Sequence, residues 1–287
     1  MIGAALLLSS GIFVGVPFAE ADRTQTDKAG PKFTAIDPEQ ALRRGKQAYE
    51  RATYAEAFKW FQQVADRGDR RGQYLLGVMY SKGEGVARNY PEAAKNFRLS
   101  ADQGLPDAQY NLAFLYQGGL GVETNMREAF SLYQQAADAG HTDAQNNLGV
   151  LYRDGNGGPK DYAKALSLFR LAADKGLPGA QYNLGLLYLN GLGVAQSYKD
   201  AAVWFRRASN GGLAEAQLNL GLLYSQGDGV PLNYVDAFVW FDIAAGAGNQ
   251  MGADFRKILT SRMTAEQLSQ AKDLARKCAE SHLKDCG

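Results

Sequence analysis

Apolar residues recur at four-residue steps through short stretches of this chain, and the stretches themselves recur every 36 residues. In AQYNLGLLYLNG, Ala180, Leu184 and Tyr188 share one helix face. Gly191 and Gly193 end that helix, since glycine enters left-handed backbone without steric cost. A second helix, about residues 199–209, carries Ala201, Phe205 and Ala208 on one stripe, and Gly212 stops it. The same hairpin is written five times, with Gly72, Ala108, Ala144, Ala180 and Ala216 at equivalent positions. A tyrosine column travels with them without exception: Tyr80, Tyr116, Tyr152, Tyr188 and Tyr224. So does a second-helix aromatic column of Phe97, Tyr133, Phe169, Phe205 and Phe241. Small Gly185 and Ala201 let the two helices of a unit approach closely. A valine at Gly185 is expected to overpack them, at a cost of about 1–3 kcal/mol.

One such hairpin cannot bury its apolar stripe, whereas stacked copies can, so the pattern predicts an all-α solenoid. The unit A-x-x-N-L-G-x-x-Y-x-x-G-x-G-V, followed by A-x-x-W/F-F-x-x-A-A-x-x-G, resembles the Sel-one-like repeat, a longer-looped relative of the tetratricopeptide repeat. The resemblance covers residues 72–251 in five units: 72–107, 108–143, 144–179, 180–215 and 216–251. Gly158 in place of valine, and Gly72 and Leu75 in the first unit, are its departures. It implies a right-handed α-α superhelix and adaptor or regulatory work in envelope signalling, secretion or host contact.

The flanks read differently. Residues 37–71 repeat the second helix in register, Ala57 and Phe61 standing 36 before Ala93 and Phe97, but with a shorter loop, as in a plain tetratricopeptide unit. Asp37-Pro38-Glu39-Gln40 opens it with helix-start chemistry. Residues 252–287 are expected to form a C-terminal capping helix, opened by Thr264-Ala265-Glu266-Gln267, and a disulfide tail. The apolar run from Ile2 to Phe18, closed by Ala19-Glu20-Ala21, reads as a signal peptide over residues 1–21 despite lacking a basic start. An uncleaved anchor is the alternative. Residues 22–36 read as a linker. The expected protein is exported, periplasmic or secreted, with no membrane span after signal removal.

Composition narrows the functions. Lys and Arg number 31 against 30 Asp and Glu, so no basic face for nucleic acid is expected. The two cysteines, Cys278 and Cys286, form an even pair that favours a disulfide in an exported chain. Continuous helix would hold their Cα atoms roughly 12 Å apart, and a disulfide needs less than about 7 Å. The chain must therefore fold back near residues 281–284. Free thiols are one alternative. A metal on Cys278, His282 and Cys286 is another, short of the four ligands a structural zinc wants. No cofactor is implied. His141 replaces a leucine at a turn position, and Trp60, Trp204 and Trp240 are expected to pack. Ser281-His282-Leu283-Lys284 is formally S-x-x-K, but the S-D-N and K-T-G partners of that signature are absent.

One column is unlike the rest. Asn111, Asn147, Asn183 and Asn219 recur in a helix interior that asparagine does not favour. Either each amide bonds a neighbouring repeat's loop, or the column lines a groove. In tetratricopeptide arrays the matching asparagine faces the concave side and bonds an extended peptide's backbone, which an amide can do as donor and acceptor. The positions beside it, Tyr110, Tyr182, Arg153 and Gln117 among them, vary between units as partner specificity requires. The sequence reading is thus a non-catalytic scaffold of the bacterial envelope that binds a protein or peptide. An envelope hydrolase and a structural spacer are the alternatives.

Overall fold

A computed structural model describes residues 37–281 and Cys286; residues 1–36, with the signal and linker expectations, lie outside it. Among the described residues there are fourteen helices and no strand. They come in pairs: α1 (Pro38–Glu50) with α2 (Tyr54–Ala65), α3 (Arg70–Lys82) with α4 (Tyr90–Ala101), α5 (Pro106–Gly118) with α6 (Met126–Asp138), and α7 (Thr142–Asp154) with α8 (Tyr162–Asp174). Then follow α9 (Pro178–Asn190) with α10 (Tyr198–Asn210) and α11 (Ala214–Gln226) with α12 (Tyr234–Gly246), after which come α13 (Gln250–Thr260) and α14 (Ala265–Glu280). From α1 to α13 each helix packs on its neighbours in that run, while α14 packs chiefly on α12. The result is a solenoid of stacked hairpins.

Capping explains where each helix begins and ends. The first helix of each of the five 36-residue units stops at a left-handed glycine, from Gly83 to Gly227. The second helices start on Asn89, Asn125, Asp161, Ser197 and Asn233, whose side chains accept from backbone N–H groups three residues on. Thr264 and Gln267 close a reciprocal capping box on α14.

Packing within a pair is set by a glycine over a ring. A Cβ on Gly185 would lie 2.6 Å from the ring of Phe205, and Gly77, Gly149 and Gly221 meet Phe97, Phe169 and Phe241 in the same way. Those rings are fully buried. This contact is the basis of the expected penalty for Gly185→Val, about 1–3 kcal/mol or more. A urea midpoint unchanged from wild type would contradict it. Gly158, the departure in the third loop, has the Phe130 ring 2.5 Å from where its Cβ would sit, so a side chain there would press on that ring. Trp60 and Trp240 are buried, and Trp204 is half-buried beneath the Arg207 guanidinium, 4.5 Å away.

Beyond Met251 the hairpin pattern persists for one further helix. Helix α13 packs on α12, and its Phe255 stacks on Phe241 at 5.5 Å. Helix α14 closes the array with Ala271, Ala275 and Cys278 buried. Cys278 and Cys286 are joined, their Cα atoms 4.8 Å apart, the helix having ended at Glu280. His282 and Lys284 lie outside the described residues.

Candidate functional site: the face of the first helices

The asparagine column links one repeat to the next. Asn183 donates from Nδ2 to Asn146 Oδ1 at 3.0 Å, and Asn219 donates to the Tyr182 hydroxyl at 3.5 Å. Both partners stand 37 residues earlier, on the first helix of the preceding repeat and not in its loop. Asn111 and Asn147 face Tyr74 and Tyr110 at the same separation. Asn147 also donates to the Tyr133 hydroxyl at 3.3 Å. Asn111 and Asn219 give a further bond to the carbonyls of Asp107 and Glu215, four residues back, at 2.7 and 2.8 Å. Asn111 and Asn219 thus act as donors, while Oδ1 of Asn147 and of Asn183 accepts from Asn146 and Arg153.

The neighbouring positions vary as the sequence does. Arg153 bonds Asn183 Oδ1 at 3.0 Å and clasps Asp154 through two nitrogens at 2.7 and 3.0 Å. Gln117 accepts from the Tyr133 hydroxyl at 2.9 Å and is otherwise exposed. Burial, with Asp107 and Asp143 nearby, pushes the Tyr74 and Tyr110 hydroxyls up to about 12, so both stay protonated donors. One turn further along each first helix runs an apolar row: Val78, Phe114, Val150, Leu186 and Leu222. Each packs against the core and stays partly open to solvent. Ile258 continues the row on α13 and is 50% exposed.

Two further columns hold the stack. Gln109, Gln145, Gln181 and Gln217 are buried, and each donates to a carbonyl in the last turn of the preceding second helix, at 3.2–3.4 Å. They satisfy acceptors that a helix end leaves orphaned. The invariant Ala-Gln pair was the available signal. In the tyrosine column, Tyr116, Tyr188 and Tyr224 meet Arg98, Arg170 and Arg206 of the preceding second helix.

His141 is more than a substituted turn residue. Its Nδ1 accepts from the Ala144 N–H at 3.2 Å, capping α7, whereas Leu105, Leu177 and Leu213 cap nothing with their side chains. Its ring stacks on Tyr110 at 4.7 Å. Burial lowers its pKa below the usual 6.5; Asp107 and Asp143 oppose that, and Lys175 adds to it. The folded state therefore favours neutral His141. Its contribution is fully present above pH 6.5 and is lost as pH falls from there toward the lowered value. Thermal unfolding at pH 7.5 and 5.5 is expected to show a larger drop for wild type than for His141→Leu; equal drops would contradict the assignment.

Among the described residues no group of three His, Cys, Asp or Glu side chains could hold a metal ion. None of the described helices is long and apolar enough to cross a membrane. Ser281 donates to the Cys278 carbonyl at 3.1 Å.

The Sel1 repeat family model matches residues 45–69, 70–105, 106–141, 142–177, 178–213 and 214–249. A Sel1 repeat protein from Oxalobacter formigenes is 31% identical, with a TM-score of 0.69 over 75% of this chain and 88% of that one. A protective antigen present in uropathogenic Escherichia coli strains and displaying an SLR fold is 30% identical, with a TM-score of 0.59 over 87% of this chain and 62% of that one. No curated protein matches the chain.

Proposed function

The chain belongs to the Sel1 repeat family, and from that premise we propose that it is an exported, non-catalytic scaffold holding a protein or peptide along the face of its first helices. Sel1 repeats generally serve as interaction scaffolds rather than catalysts. The observation that carries the proposal is the coincidence, on one face, of a half-buried apolar row and an amide ladder, both repeated through the array. A repeat array offers such a face as an extended binding surface. The apolar N-terminal run and the paired cysteines support export to an oxidising compartment such as the periplasm. A regulatory role in the envelope is the corresponding proposal for its biology.

The test is crosslinking pull-down from periplasm with tagged protein, wild type beside Leu186→Asp/Leu222→Asp. The pair is expected to reduce recovery of bound protein at least tenfold while helicity persists, since a buried contact of this kind is worth about 1.5–3 kcal/mol per side chain. Equal recovery from both would move the site off this face. No partner from either would favour a spacer.

A further inference from the structure

Across α5, α7 and α11 the face is ordered in three rows. The amides of Asn111, Asn147 and Asn219 form the middle one. Seven residues separate Asp107 from Phe114, Asp143 from Val150 and Glu215 from Leu222, so acidic and apolar rows flank the amides on either side. The carboxylates lack cations. Asp107 is 39% exposed, and the nearest basic group, His141 Nε2, stands 3.8 Å away on a ring that the fold keeps neutral. Among the described residues Asp143 and Glu215 enter no ion pair, and Lys175, whose charge also reaches His141, is held by the Gly140 carbonyl and the Gln145 side chain. Arg153 is clasped by Asp154, and Arg71, in the same row as Asp107, holds Glu39 at 2.6 Å and Asp69 at 2.8 Å. Burial raises the proton affinity of Tyr74, Tyr110 and Tyr182, and the fields of Asp107, Asp143 and Glu215 add to it, with Arg153 opposing at Tyr182.

Resting on the reading of this face as the docking surface, we propose that its occupant is an extended basic segment, with Lys or Arg side chains toward Asp107, Asp143 and Glu215 and apolar side chains toward the opposite row. An extended chain sends alternate side chains to opposite sides, which is what two unlike rows with amides between them accommodate. Oδ1 of Asn111 and of Asn219 would accept from its backbone N–H groups. Gly179 occupies the acidic row between Asp143 and Glu215, so one position of the segment carries no cation. Exposed ion pairs add little affinity singly, but matched rows of opposite charge steer encounter and reject acidic competitors.

The experiment uses a phage-displayed library of random twelve-residue peptides panned against the folded chain. Four targets are compared by circular dichroism and by panning: wild type; Asp107→Asn/Asp143→Asn/Glu215→Gln; a control with the same loss of charge on second helices, Asp102→Asn/Asp138→Asn/Asp174→Asn; and Leu186→Asp/Leu222→Asp. The expected result is enrichment of Lys- and Arg-bearing peptides by wild type and control, with binding at least tenfold weaker to the acidic-row variant. Peptides without a basic bias that are lost only on Leu186→Asp/Leu222→Asp would overturn the charge assignment and leave the docking face standing. Peptides indifferent to both face variants, or no enrichment at all, would overturn both.

Discussion

Gly121→Ala is expected to destabilise the protein by about 2–5 kcal/mol, combining a left-handed backbone cost of roughly 1–2 kcal/mol with overpacking of about 1–3 kcal/mol. Gly121 has φ +69°, and a Cβ there would lie 2.3–2.6 Å from the carbonyl carbon and oxygen of Tyr90 and the nitrogen of Pro91. Those atoms are backbone at the start of α4, in the preceding repeat, and cannot swing aside as a side chain does. Gly85, Gly157, Gly193 and Gly229 make the same contact one repeat apart. The second loop glycine is therefore where each hairpin seats on the one before it. In a solenoid, stability is a sum of repeat and interface terms, so a single opened seam weakens the array on both sides. Gly104→Ala is the control: φ is +75° but nothing lies within 4 Å, so only the backbone cost applies. Urea unfolding of the two variants compares them directly. Equal losses would show that the seam contact is not what Gly121 provides.

Reducing Cys278–Cys286 is expected to cost about 2–3 kcal/mol, the loop-closure estimate for a bridge spanning eight residues. The loss should be local. Both cysteines are buried, and α14 packs on α12 at the end of the described array. Terminal units of a one-dimensional array open first because they have one neighbour. Hydrogen exchange with and without reductant should therefore accelerate in α13 and α14 while α5 to α8 keep their protection. Acceleration spread evenly over all repeats would contradict a capping role.

The hairpins were legible because their signals are redundant. Glycine pairs, an invariant tyrosine and a buried aromatic recur at one spacing, so any single departure leaves the pattern readable. Where the departures coincide, the reading stopped early. Helix α13 keeps the spacing, with Gly252 standing 36 after Ala216 and Ile258 36 after Leu222, but Phe255 replaces the asparagine and the loop glycines are gone. Gly252 is itself a physical echo of Gly72, since a Cβ at either would press on the preceding second helix. On the candidate face, the asparagines stood out because asparagine is out of place in a helix interior. Their partners could not be read, because a 37-residue separation becomes a contact only once the stacking register is known. The buried glutamines repeat as an Ala-Gln pair, but glutamine is at ease in a helix, so the repetition alone does not mark them and their burial is visible only in three dimensions. His141 shows the same limit, where one nitrogen's hydrogen bond turns a turn residue into a cap.

The proposed binding surface is the face of the first helices. Photo-crosslinking residues placed singly at Leu186 and Leu222 on that face, and at Leu171 and Val203 on the exposed sides of α8 and α10, test it most directly in living cells. A shared protein adduct is expected from Leu186 and Leu222 and none from Leu171 or Val203. The same adduct from the second-helix positions, with none from Leu186 or Leu222, would contradict it.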